Sequence, residues 1–175
     1  MIAPFQYALA EFLPFRDKEV CERVRKIKKE DICKHPNENF NIRIIEDDAA
    51  FRFAFVMHIV AGIKRSLEEG KKYVIILPAP NPHYAFVAKA LNDLNIPCKH
   101  VHTFNMDEYA DENGNTAPKD WKGGFGYWMY HDLFDRIRPE LRMGEDQIHF
   151  PSTANVNDYS KMIEDTGGAD VCYGG

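Results

Sequence analysis

The sequence is short of the features that mark several protein classes. Cysteine is scarce: Cys21, Cys33, Cys98 and Cys172 are the four in 175 residues. They form no C-x-x-C pair and stand at no zinc-like spacing from histidine. Neither a disulfide scaffold nor a metal site is expected, and the thiols read as reduced. Positive charge is not in excess. Lys and Arg number 22 against 27 Asp and Glu, a net charge of −5, so no global basic field argues for nucleic acid. There is no long hydrophobic run. The most apolar stretch, Ala49 to Ile63, contains Arg52 and His58 and is too short to span a bilayer. The first fifteen residues lack a basic leader, and Pro4 and Pro14 interrupt their apolar character, so no signal peptide is read. A cytoplasmic location with no membrane partner is the expectation. Internal repeats and low-complexity runs are also missing.

What is there is the composition of an ordinary folded domain, 45% hydrophobic and 28% charged. That excludes a disordered or fibrous chain. A chain of this length buries about two-thirds of the surface its unfolded form exposes, so it needs no cross-link to hold a core.

Residues 1–40 differ from the rest and read as an N-terminal extension. Met1 to Phe15 is apolar and aromatic, with Phe5, Tyr7, Phe12 and Phe15. Asp17 is placed to cap a helix running to about Ile32, with Val20, Val24 and Ile27 on one face. Residues 35–39 read as a loop. From residue 41 the pattern becomes regular. Asn41 to Ile45 reads as a strand. Asp47 or Asp48 caps a helix to about Glu69, closed by Gly70. Tyr73 to Leu77 is a continuous β-branched run stopped by Pro78, as a buried strand requires. A helix from about His83 to Leu94, a strand from Lys99 to Phe104, a helix from Tyr127 to Ile137, a short strand at 147–150, a helix at 155–165 and a strand at 169–173 follow. Alternating strands and helices predict an α/β fold with a Rossmann-like parallel sheet and helices on both faces, spanning 41–175. Ligands of such sheets sit beyond the carboxyl ends of the strands. That points to Pro78–His83, Asn105–Tyr109 and whatever follows Tyr173.

The most informative segment is Thr103-Phe104-Asn105-Met106-Asp107-Glu108-Tyr109. It puts two adjacent carboxylates at the end of a buried strand. Mutual repulsion and partial burial both raise a carboxyl pKa, which suits proton transfer on a bound sugar. The plainer alternative is an acidic solvated loop continued by Asp111 and Glu112. Other features are weaker. His100 and His102 alternate on a strand and would point to one face, but no third metal ligand stands at a fixed spacing. Gly123-Gly124-Phe125-Gly126 precedes a helix, read as a lid or close packing before an anion cradle. Tyr127, Tyr130 and Phe134 recur at helical spacing, as core residues do; a sugar-stacking role for Trp121 is the minor option.

The run Phe104-Asn105-Met106-Asp107-Glu108-Tyr109, led in by Lys99-His100-Val101, resembles the signature of the glucosamine-6-phosphate deaminase (isomerase) family, which groups with the 6-phosphogluconolactonases. The order of elements is similar over about residues 41–175. The lactonase branch carries Asp-Glu-Arg where this chain has Asp107-Glu108-Tyr109. The resemblance implies a Rossmann-like fold, a small-molecule sugar phosphate as substrate and no cofactor. It implies Asp107 as the base that shuttles a proton between C1 and C2 of the opened sugar, with ammonia release leaving a ketose phosphate. It implies Glu108 as a neighbour that shapes the pocket or tunes Asp107. The family includes monomers and hexamers, so a homo-oligomer is left open.

Two departures bear on the transfer. The family's Gly-Gly phosphate loop is replaced by Leu77-Pro78-Ala79-Pro80-Asn81-Pro82-His83. Prolines donate no amide, so phosphate contacts fall to the helix start near His83, the Asn81 amide and the His83 ring, within a substrate-binding set of Ala79, Pro80, Asn81, His83 and Asn105 and through a changed grip; the alternative is a stiff turn that binds nothing. The family continues past its last Gly-Gly (here Gly174-Gly175) with an Asp-Gly-His motif and a Glu. The resemblance therefore implies that these 175 residues correspond to the N-terminal part of a longer protein, active as a whole, and that alone, without the ring-opening His, they show little or no turnover. Two rival readings accompany the enzyme: a homologue that binds a phosphosugar without turnover, and a folded module whose residues 1–40 dock onto another subunit.

Overall fold

The computed structural model of the chain describes residues 17–174. The apolar segment Met1–Phe15 and the final Gly175 lie outside the described residues. The chain divides into two compact units, Met1–Glu46 and Asp47–Gly175.

In the first unit, Asp17 caps helix α1 (Lys18–Val24) by accepting from the Val20 amide at 3.0 Å. The helix stops at Val24 rather than near Ile32, and a single 3-10 turn, Lys29–Asp31, follows. Val24 and Ile27 remain 53% and 51% exposed. An apolar stripe that is not buried supplies little to extend a short helix. The expected strand at 41–45 does not form. These residues have no regular structure, and Ile44 is exposed. A β-branched run becomes a strand only with a ladder partner, and among the described residues it has none.

The second unit carries the sheet. Asp47 caps helix α2 (Asp48–Glu68) through the Ala50 amide at 2.7 Å. Gly70, at φ +64, ends it in the left-handed conformation that glycine adopts without strain. Strand β1 (Tyr73–Leu77), helix α3 (Tyr84–Asp93), strand β2 (Val101–Asn105), helix α4 (Phe125–Asp132), strand β3 (Ile148–His149), helix α5 (Tyr159–Thr166) and strand β4 (Val171–Cys172) follow. The sheet order is β3-β2-β1-β4, and every pairing is parallel. Helix α4 is shorter than the Tyr127–Ile137 expected; a 3-10 turn, Phe134–Arg136, completes it.

The core follows from sequence spacing. Val56, Ile59, Val60 and Ile63 of α2 and Tyr84, Val87, Ala88 and Leu91 of α3 are buried at i, i+3, i+4, i+7. They close one face of the sheet with Ile75, Leu77, Val101, Met129 and Phe134. Phe104, alternating with Val101 along β2, packs instead against His149 and Tyr159 of α5. Helices therefore flank both faces, as expected.

Candidate functional site

The carboxyl ends of β1, β2 and β4 lie side by side. Leu77 and Asn105 are register partners, the Met106 amide donates to the Leu77 carbonyl at 2.9 Å, and the Tyr173 amide donates to the Ile76 carbonyl at 3.0 Å. Strand order reverses between β1 and β4, the position at which open parallel sheets form a ligand crevice. Pro78–His83 leaves the sheet at this point and Asn105–Tyr109 at the neighbouring strand end.

Asp107 and Glu108 are neighbours with different fates. Glu108 is immobilised: Oε1 accepts from the Tyr109 and Phe125 amides at 2.8 and 2.9 Å, and Oε2 from the Gly126 amide at 2.6 Å. It thereby caps α4 from outside, where free amides and the helix dipole favour a carboxylate. Gly126 is part of that fit, because a Cβ there would stand 3.0 Å from Oε2. Asp107 is exposed and makes no hydrogen bond among the described residues. Its carboxyl is held above the ordinary aspartate value, first by partial desolvation and then by the charge of Glu108.

The proline loop presents few donors. The Asn81 side chain accepts from the His83 amide at 3.0 Å, and the Asn81 and Pro82 carbonyls take the Tyr84 and Ala85 amides. The start of α3 thus satisfies itself internally. With Pro80 lacking an N–H, the amides of Ala79 and Asn81 and the His83 ring are what is left. His83 Nδ1 is buried without a partner. Asn105 is buried; its amide nitrogen donates to the His149 carbonyl at 2.9 Å, while Oδ1 has no partner.

Sequence reasoning missed an aromatic group beside the end of β4. The Tyr173 hydroxyl lies 2.6 Å from His58 Nδ1, and Phe55 packs against the rings of both Tyr173 and Tyr84. Tyr84 is fully buried, its hydroxyl unpartnered and its pKa pushed well up by burial. No local signal could have found it, because 115 residues separate His58 from Tyr173.

One expectation needs correction. His100 and His102 do not share a face: His100 stands before β2 and bonds Ser66 Oγ and the Ile63 carbonyl of α2, whereas His102 stacks with His149. The strand begins at Val101, so strand alternation does not reach His100. The glycines at the start of α4 serve close packing, as the sequence reading prefers: Gly124 and Gly126 clear space for Glu108, and Gly123 for the Trp121 ring. No group of three or more metal-ligating side chains occurs among the described residues, and none of their helices is long and apolar enough to cross a membrane.

Fold and strand order place the second unit among Rossmann-like α/β proteins. A monomeric glucosamine-6-phosphate deaminase, described as a missing link of the NagB superfamily, shares the fold with a TM-score of 0.55 and 17% identity, over 68% of this chain and 47% of its own. The 6-phosphogluconolactonase of Thermotoga maritima does so with a TM-score of 0.51 and 19% identity, over 74% and 56%. The chain therefore spans about half the length of these structures. No protein-family model matches it, and no curated protein does.

Proposed function

We propose that the chain forms the proton-transfer half of a sugar-phosphate isomerase or deaminase, with Asp107 as base. The single observation that carries the reading is the state of Asp107. Its carboxyl is unpartnered and shifted upward, at the end of β2, on a backbone pinned by Glu108. A base that must give its proton back needs this freedom and a pKa raised toward working pH. Asp107 would remove the proton from C2 of the opened aldose, giving an enediol or enolamine, and return it to C1. For an amino sugar, water then displaces ammonia at C2 and leaves a ketose phosphate. Ala79, Asn81 and His83 would hold the phosphate, and Asn105 would fix the β2 end through its bond to β3.

One observation favours a second reading, in which a phosphosugar is bound without turnover: the proline loop has few donors, since Pro80 and Pro82 lack an N–H and the His83 amide is already taken by Asn81. The two readings part on proton transfer. Fructose 6-phosphate in deuterated water should gain deuterium at C1 when the full-length protein is present, read by NMR. The full-length protein should release ammonia from glucosamine 6-phosphate, whereas these 175 residues alone should show little or no turnover. Asp107→Asn should lower both rates about 100-fold with folding intact. Exchange at the wild-type rate in Asp107→Asn would rule out this base, and binding without exchange in the wild type would establish the second reading.

A further inference from the structure

Beside the Asp107 segment is a cavity of about 420 Å³ that the proton-transfer reading does not use. This is within the size range of small-molecule sites. Its main walls are Tyr109, Ala117, Pro118 and Trp121. Tyr109 stands two residues from Asp107, within about 7 Å along the backbone.

The two rings are unusual in being both exposed and fixed. Tyr109 is 48% and Trp121 50% exposed. Their centroids lie 6.0 Å apart at 83°, and Phe125 backs Tyr109 at 4.7 Å. The Trp121 amide donates to Pro118, and the Trp121 carbonyl accepts from Gly124. A Cβ at Gly123 would collide with the indole, so glycine there lets the ring lie across the backbone. The opposite wall is equally set. The Ala117 amide donates to the Tyr109 carbonyl, and the Asp111 carboxylate takes the Asn113 and Asn115 amides and the Asn115 side chain. Each ring is packed on one side, yet about half of each is left exposed to water.

The lining chemistry selects an occupant. Its polar side chains are already engaged: Asn115 with Asp111, and Thr116 with Thr153 outside the cavity. No Lys or Arg lines the cavity, and Asp111 is anionic, so a phosphate would be repelled. What is offered is an indole and a phenol at right angles, a surface for a flat group with polarised C–H bonds and no negative charge. We propose that Tyr109 and Trp121 bind the apolar face of a hexopyranose ring beside Asp107, with any phosphate outside the cavity. The ligand class rests on the sugar-phosphate reading above; the cavity and its rings do not.

The test reads Trp121 directly. The chain has two tryptophans, so Trp128→Phe leaves Trp121 as the sole indole. Glucosamine and glucosamine 6-phosphate are titrated against indole emission, with affinities measured by calorimetry. Both sugars should change Trp121 emission saturably. Trp121→Ala should weaken binding about five- to tenfold, and Trp121→Phe should restore most of it. Saturable binding that leaves Trp121 emission and the Trp121→Ala affinity unchanged would overturn the proposal, as would no saturable binding of either sugar. A Trp121 response without deuterium exchange supports this site and removes only the catalytic reading. Exchange whose KM ignores Trp121→Ala does the reverse.

Discussion

At the residue scale, Asp107 and Glu108 show how adjacent identical charges divide their work. Three amides hold Glu108, and none holds Asp107. Removing the carboxylate in Glu108→Ala leaves the first amides of α4 without their acceptor. It should cost about 2 kcal/mol in urea unfolding, the scale of hydrogen bonds to a charged group. Glu108→Gln keeps one acceptor oxygen and should cost less. It also removes the charge that helps raise the Asp107 carboxyl. The acid limb of the activity profile, where Asp107 takes up its proton, should therefore move to lower pH in Glu108→Gln; an unmoved limb would mean another group sets it. The same shift predicts stability. A carboxyl whose folded pKa lies above its unfolded value stabilises the fold below the unfolded pKa and loses that contribution as pH rises through the folded one. At neutral pH Asp107→Asn should thus unfold no more easily than the wild type, and slightly less easily if desolvation dominates. The candidacy of Asp107 was legible because motif and strand end coincide in a few residues. The anchoring of Glu108 was not, because its acceptor role is completed by amides 17 and 18 positions away.

At the element scale, legibility tracks burial. The strand Tyr73–Leu77 and helix α2 stand where the sequence places them, because a continuous β-branched run and a repeating apolar stripe both find the same core. The helix expected to Ile32 and the strand expected at 41–45 fail for the complementary reason. Their apolar residues match the periodicity but are not buried, and periodicity without burial fixes nothing. Ends are less legible still. Strand β2 starts at Val101 rather than Lys99, which separates His100 from His102. Within α2 the sequence hides a packing constraint at Gly62, which reads as a mere helix weakener. A Cβ there would run into the Tyr73 ring and hydroxyl. Gly62→Ala, usually a gain in a helix, should instead destabilise by about 1–3 kcal/mol as an overpacked contact. Pairing it with Tyr73→Phe should recover only part, because the ring itself also lies in the way. A Gly62→Ala protein as stable as the wild type in thermal melts would show that Tyr73 moves freely.

At the scale of the whole molecule, the two faces of the sheet are held by different chemistry. One face is closed by aliphatic side chains from α2 and α3. The other rests on a polar stack: His102 lies parallel to His149 at 6.1 Å, and His149 lies on Phe104 at 4.3 Å. The Tyr159 hydroxyl bridges the carbonyls of Asn105 and His149 at 2.9 and 3.1 Å. His102 Nδ1 and His149 Nε2 are buried without partners. Both imidazoles are held below the ordinary histidine value, chiefly by desolvation. Lys72 adds to this at His102, the His102 charge adds to it at His149, and Asp146 opposes both. A group with a depressed folded pKa contributes stability that is present above its unfolded value and lost as pH falls through the folded one. The β2–β3 side of the sheet should therefore weaken below about pH 6.5, the unfolded histidine value. The pH window lies above that of the carboxylates, so the two are separable. Urea midpoints between pH 7.5 and 5 should fall for the wild type, with loss of β2–β3 protection in hydrogen exchange before the α2–α3 side opens. His102→Phe keeps an aromatic ring on the stack and removes one titrating nitrogen pair along with its repulsion of His149. Its midpoints should be flatter over that interval. Equal slopes for wild type and variant would mean that the histidine stack does not govern the acid sensitivity of the fold.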